Sequence, residues 1–317
     1  MRLQVDRSNA WNVKRTNQEL IRVICNIRQT RKIKISNYLT GYLNVIVQSI
    51  QSSNDERQKE ALLHAFGMLS SHMAHSKDYQ RNAELMLQQF VYNDLQANNS
   101  FLRARACWVY SQFANFPFSD EHLTYTLDLV YKNMAHQDLP VRVNAAVALI
   151  RLLSHEIAIN FVRPGLGSVI KIYLKLIDEI DYDELIESLK VIVEIFNEEI
   201  QPYAEELCLR LGESFVRLME TKQSGEEHLE LDTETSLTAD GLMTAIRRIL
   251  QSISGRFPQI FPKLEQILAP AIQVAINDPN GTSVEEGLTC LAIILFNQSQ
   301  ISQSMWQYFQ QLVTSIL

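Results

Sequence analysis

Apolar residues recur at helical spacing along nearly the whole chain. Between 182 and 198, Leu185, Leu189, Ile192 and Phe196 fall at i, i+4, i+7 and i+11, while Asp183, Glu187, Glu194 and Glu198 lie off that stripe. The run 101–113 places Leu102, Ala106, Val109 and Phe113 on one face in the same way. This spacing predicts helices at about 36–51, 55–75, 79–97, 100–115, 119–136, 139–154, 165–179, 182–198 and 202–221. Four more follow at about 238–254, 258–277, 283–296 and 302–317. Ser70, Ser71 and His72 interrupt an apolar run and leave the end of the second helix open. Helix-opening signals support the scheme. Ser119-Asp120-Glu121 precedes one helix, and Asp138-Leu139-Pro140 opens another, with proline in the first turn where its missing N–H costs nothing.

Taking every second helix, the starts fall near 55, 100, 139, 182, 238 and 283. Apart from one longer interval they are about 40–47 residues apart, the period of two-helix HEAT or armadillo units. Two units align at an offset of 39, pairing Leu102, Arg103 and Ala106 with Val141, Arg142 and Ala145, and Phe113 with Leu152. The sequence assigns each pair one role: a solvated cation for Arg103 and Arg142, a close helix contact for the alanines, and a core filler for Phe113 and Leu152. Trp108 and Trp306 are expected in the core. A single unit cannot bury its own apolar face, so the expected fold is an all-α HEAT-repeat solenoid over residues 36–317, about six helix pairs, behind a basic segment 1–35.

Composition agrees with helices joined by short turns. Ten glycines and eight prolines in 317 residues are too few for many hairpins. The net charge of −7 argues against direct nucleic-acid binding. Four cysteines, Cys25, Cys107, Cys208 and Cys290, form no CxxC pair and suit a reducing compartment. No apolar leader opens the sequence and no run of 18 apolar residues occurs, so neither secretion nor membrane insertion is expected.

Charge is unevenly spread. The first 50 residues hold nine Lys/Arg against two Asp/Glu, with Arg28, Arg31, Lys32 and Lys34 the densest group, whereas 178–234 holds 18 Asp/Glu against four Lys/Arg. The acidic tract ends in a segment without a helical stripe, expected as a loop at 221–237. Its acids Glu226, Glu227, Glu230, Asp232 and Glu234 are the candidate surface for a basic partner.

Nothing points to catalysis. Gly165-Leu166-Gly167 has no preceding strand and lacks the third glycine of a dinucleotide loop, because Ile170 stands there. His64, His72 and His75 have no acidic or cysteine partner at ligand spacing, so no metal or cofactor is expected. Carboxylate pairs such as Asp181 with Asp183 read as a solvated face.

Several segments resemble a known family. Glu60-Ala61-Leu62-Leu63-His64-Ala65-Phe66-Gly67, followed by Asn82 to Leu87, is similar to a stretch of nuclear transport receptors of the importin-seven/importin-eight type. Phe101-Leu102-Arg103-Ala104-Arg105-Ala106-Cys107-Trp108-Val109 is the most specific match, and Asp138 to Leu149 resembles the family's next repeat. Glu198 to Ala204 and Met305-Trp306-Gln307 continue the likeness in order, over roughly 55–310.

The resemblance implies an importin-β superfamily (karyopherin-β) protein: a HEAT superhelix that carries basic protein cargo through nuclear pores. It also implies contacts with nucleoporins, control by the small GTPase Ran in its GTP form, and residence in cytoplasm and nucleus, including the nuclear envelope. The alternative is a HEAT scaffold or adaptor, of phosphatase-regulatory or vesicle-coat type, without Ran control.

Overall fold

In a computed structural model, residues 35–310 are described, except 54, 181, 224–228, 279–280, 282, 301, 304–305 and 309. The expected basic segment 1–35 therefore lies almost entirely outside the described residues. Among those described there is helix and turn but no strand. The chain divides into two compact units, one ending at Leu166 and the other beginning at Gly167. Each is an all-α stack of HEAT-type helix pairs.

The first unit contains α1 (Ile35–Ser52), α2 (Glu56–Met68), the single turn α3 (Ser70–Met73), α4 (Lys77–Phe90), α5 (Ser100–Gln112), α6 (Asp120–Asn133), α7 (Leu139–Arg151) and α8 (Glu156–Val162). Helix α1 buries Leu39, Leu43, Ile46 and Ile50, one face at i, i+4, i+7 and i+11. Three starts are capped by side chains, Ser119 as the sequence suggests, while Asp138 makes no side-chain cap ahead of Pro140. Asp55 accepts from the Arg57 amide at 3.0 Å, Asn99 from the Phe101 amide at 2.9 Å, and Ser119 from the His122 amide at 3.3 Å. The predicted 55–75 helix breaks at Leu69, just before the Ser-Ser-His interruption. Helix α8 was not anticipated, because its seven residues are too short to show an apolar stripe.

Helices α2, α5 and α7 pack in succession as one row, with α6 against α7 and α8. A turn of 3-10 helix, Tyr92–Gln96, wedges between α4, α5 and α6. The fourth residue of each row helix is a cation: Lys59, Arg103 and Arg142. Lys59 Nζ meets Asp94 Oδ1 at 2.7 Å. Arg103 Nε donates to Ala97 O at 2.9 Å, and Arg142 donates to His136 O at 3.3 Å and Gln137 O at 3.1 Å. The expectation of solvated cations is corrected here. Both arginines are half-buried and satisfy carbonyls of the turn that delivers the chain into their own helix. Asn133 ties the same joint from below, donating to Leu95 O at 2.9 Å and accepting from Arg103 at 3.4 Å.

Leu102, Ala106, Val141 and Ala145 are buried, as are Phe113 and Leu152, in line with their expected roles. Trp108 is half-buried and Trp306 is 51% exposed, so neither tryptophan is a core residue. The Trp108 ring rests where Gly67 has no side chain, and the Arg105 guanidinium, held by Glu60 at 2.6 Å, lies 4.8 Å from the ring centroid.

The second unit contains α9 (Leu166–Glu179, its first residue at the boundary), α10 (Asp183–Ile195), α11 (Ala204–Gln223), α12 (Leu229–Ile253), α13 (Phe261–Ile276) and α14 (Val284–Phe296). Helices α10, α12 and α14 form one row, α11 and α13 stand beside each other, and α11–α12 and α13–α14 are packed pairs. Buried Tyr308 bonds Ala269 O at 3.0 Å, fastening the segment after α14 to α13. The run Glu156–Glu179 has a mean hydropathy of 1.2, enough by length and composition to cross a membrane. The sequence reading, based on uninterrupted apolar runs, missed this. Several of its apolar positions, among them Val162, Val169, Ile170 and Tyr173, are nevertheless buried in packing.

Two predictions follow from close helix approaches. A Cβ on Gly67 would stand 2.3 Å from Trp108 Cζ3, so Gly67→Ala should cost about 1–3 kcal/mol. Trp108→Leu in the same chain should recover part of that loss, read as coupling in urea unfolding. Gly287→Ala would put a Cβ 2.8 Å from that of Ala275 and should cost a similar ~1–3 kcal/mol. Gly41→Ala, with nothing within 4 Å, should instead leave the protein equally or up to about 1 kcal/mol more stable.

Candidate interaction surface

The acidic charge is concentrated in one unit. Residues 35–166 carry eleven Asp/Glu against ten Lys/Arg, whereas 167–310 carry 23 against ten. The basic segment 1–34 carries nine Lys/Arg against two Asp/Glu.

Of the five acids singled out in the sequence, Glu226 and Glu227 lie outside the described residues. Glu230, Asp232 and Glu234 fall in the first two turns of α12, which begins at Leu229. Of the loop expected over 221–237, residues 224–228 lie outside the described residues, whereas 221–223 end α11 and 229–237 belong to α12. The physical reason is that carboxylates near a helix amino terminus are favoured by the macrodipole, so an acidic run without an apolar stripe can still open a helix.

The α10–α12–α14 row carries further acids that the sequence reading did not assign to the surface. Arg248 of α12 bonds Glu194 of α10 at 2.9 Å. Arg247 of α12 pairs with Glu286 of α14, whose other oxygen accepts from Thr244 at 3.2 Å. Lys190, nearly buried, meets Glu187 at 2.6 Å. Asp240 sits among these groups. Burial, then the neighbouring Glu286 and Glu285 carboxylates, push its carboxyl above the ordinary aspartate range against the pull of Lys190 and Arg247. A cation docking there would relieve that repulsion. This signal lay in the sequence only as scattered acids on separate helices; the row brings them together.

The other candidates have local explanations. His64 packs its ring 4.9 Å from that of Trp108, and the His75 ring meets Ser71 O at 2.7 Å. Among the described residues no group of three His, Cys, Asp or Glu is placed to hold a metal ion. Gly165 closes a 3-10 turn, while Gly167 makes room for Tyr203, whose hydroxyl would stand 2.7 Å from an added Cβ. Cys107, Cys208 and Cys290 are buried thiols. Burial pushes Cys107 and Cys290 up to about 12 and Cys208 higher still, the opposite of an activated nucleophile.

Comparison with known proteins gives this surface a context. No protein-family model matches the chain. The "Probable importin-7 homolog" of Dictyostelium discoideum is 29% identical over 83% of this chain and 24% of its own length. The "Importin beta-like SAD2 homolog" of Arabidopsis thaliana is 31% identical over 82% and 25%, and "Importin-8" of Danio rerio 28% over 90% and 27%. The chain thus spans about a quarter of the length of these relatives. Among solved structures, an engineered protein matches with a TM-score of 0.50 at 14% identity, covering 78% of this chain and 98% of its own, a likeness of fold alone. The likeness to these relatives through 82–90% of this chain supports the importin-β superfamily, importin-seven/importin-eight type, for the part of such a protein that the chain represents.

Proposed function

We propose that this chain is a cargo-binding part of a nuclear import receptor, taking basic protein cargo on the acidic helices of residues 167–310. The observation that carries the reading is the excess of thirteen negative charges over residues 167–310, where residues 35–166 are nearly neutral. Such a field raises the capture rate of cationic partners and fixes their orientation, while the apolar rows keep the helices in register. The family likeness supports the rest of the scheme: passage between cytoplasm and nucleus, contact with nucleoporins, and release of cargo by Ran–GTP. The chain supplies a surface, not a reaction. The energy of directional transport would come from the GTPase partner. A HEAT scaffold without Ran control remains the rival reading, and nucleotide dependence separates the two. A complex that ignores Ran–GTP favours the scaffold.

Reversing Glu226, Glu227, Glu230, Asp232 and Glu234 to lysine should weaken binding of a lysine-rich protein domain about tenfold or more in ~0.1 M salt. The dependence of log Kd on log salt should flatten as well. Titration calorimetry at three salt concentrations reads both. Unchanged affinity and slope would remove the start of α12 from the surface. Asp240→Asn, Glu285→Gln and Glu286→Gln together then test the α10–α12–α14 row by the same measurement.

A further inference from the structure

The first unit holds a buried polar array that cargo binding does not use. His122, in the first turn of α6, is 6% exposed, Tyr110 of α5 is 1% exposed and Thr126, one turn further along α6, is completely buried. Tyr110 Oη and His122 Nε2 are 3.2 Å apart. The Thr126 hydroxyl lies beside Tyr110 and makes no hydrogen bond of good geometry. Aromatic rings enclose the imidazole: Tyr92 at 5.6 Å, Phe118 at 5.8 Å and Tyr110 at 5.9 Å between centroids. The same turn is clamped from α4, where the Glu84 carboxylate accepts both the Ser119 amide and the Ser119 hydroxyl at 2.6 Å.

We propose that the His122–Tyr110–Thr126 array is a proton-sensitive latch on the amino-terminal turn of α6. With the imidazole neutral, its Nε2 accepts the Tyr110 O–H. When Nε2 takes a proton from solvent, its N–H must donate instead, and the Tyr110 oxygen becomes the acceptor. The phenol proton then needs a new partner, and Thr126 Oγ1 is the buried acceptor beside it. The exchange keeps the Tyr110 hydroxyl and the imidazole Nε2 partnered and forms no covalent bond. Its cost is a cation in an aromatic cage.

The groups facing the ring decide the direction. Burial lowers the His122 pKa, and Glu84, from α4, partly opposes this. Tyr92 faces the ring from the 3-10 turn, and burial raises Tyr110 and Cys107 of α5, which keeps both neutral. His155, across Phe118, bonds Ala114 O at 2.6 Å. The folded state therefore binds the His122 proton more weakly than the unfolded chain does. The latch contributes its full stability above the ordinary imidazole value of 6.5 and loses it as pH falls from there toward the lowered folded value. Acid should loosen this turn before it loosens the rest of the unit.

The test is a nuclear magnetic resonance titration of the His122 imidazole in the full chain, with amide exchange of residues 119–126 followed from about pH 7.5 to 5.5. The expected result is a midpoint below 6.5 and exchange in 119–126 that accelerates in acid beyond its intrinsic chemical trend. Thr126→Val, which removes the waiting acceptor, should lower proton affinity a further threefold or so, and Thr126→Ser should restore it. His122→Gln should abolish the acid-dependent opening, whereas His72→Gln, at the other imidazole lowered by burial, should not. Equal midpoints in wild type and Thr126→Val would overturn the relay. Exchange in the wild-type protein that shows no excess acceleration would overturn the latch, whether or not any variant folds.

Discussion

The half-buried cations at the fourth position of α2, α5 and α7 are the contacts on which the first unit depends. Apolar stripes bring helices together, but they do not fix how far one pair advances over the next. Lys59 does, because it reaches forward to the Asp94 carboxylate in the 3-10 turn before α5, while Arg103 and Arg142 hold the turns that enter their own helices, at Ala97 O and at the His136 and Gln137 carbonyls. Those groups would otherwise be stranded where the chain leaves one helix and enters the next. Removing such a cation would therefore expose an uncompensated acceptor as well as delete a contact, which is the costlier half of a buried hydrogen bond. Burial pushes the Asp94 carboxyl up while Lys59 pulls it down, so this joint is held by a charge that the fold only partly accommodates.

The second unit relies on pairs along its row. There the ties run along the row through Arg248 to Glu194 and Arg247 to Glu286, pairs between neighbouring helices of the kind that Arg105 and Glu60 make in the first unit, without the cations at the entry turns. This arrangement spends basic residues sparingly. Three helices are stitched with two arginines, leaving most of the carboxylates of residues 167–310 to set the surface potential. A unit with so large an excess of one sign works against its own compactness, and the fully buried faces of α11, α12 and α13 supply the apolar cohesion that offsets it.

Much of this could be read from the sequence because amphipathic stripes of three or four turns are long enough to be unambiguous. Leu185, Leu189, Ile192 and Phe196 predicted their own burial, and the alignment of Leu102 and Ala106 with Val141 and Ala145 predicted equivalent places in consecutive units. What escaped was local or depended on neighbours. Seven residues of α8 cannot display a period. Arg103 and Arg142 look like surface cations in sequence because only the folded turn reveals the carbonyls they reach. Trp108 looks like a core residue until the packing shows one edge occupied by Gly67 and Arg105 standing over the ring. The acids of α10, α12 and α14 sit far apart in the chain, and no linear pattern joins Glu194, Asp240 and Glu286.

The start of α12 shows why the acidic tract was the hardest part to read. A binding loop and an acidic helix start share a composition, since carboxylates favour both solvent exposure and the positive end of a helix dipole. In the helix, Glu230, Asp232 and Glu234 take alternate positions within the first two turns. A helical backbone has less conformational entropy to lose on binding than a loop. The three acids also help hold the helix that leads into Asp240 and the α10–α12–α14 row. Substituting these acids would thus alter both the field that a partner meets and the stability of the first turns presenting it. Helicity and partner affinity must be measured on the same variants before any loss of binding is assigned to charge alone.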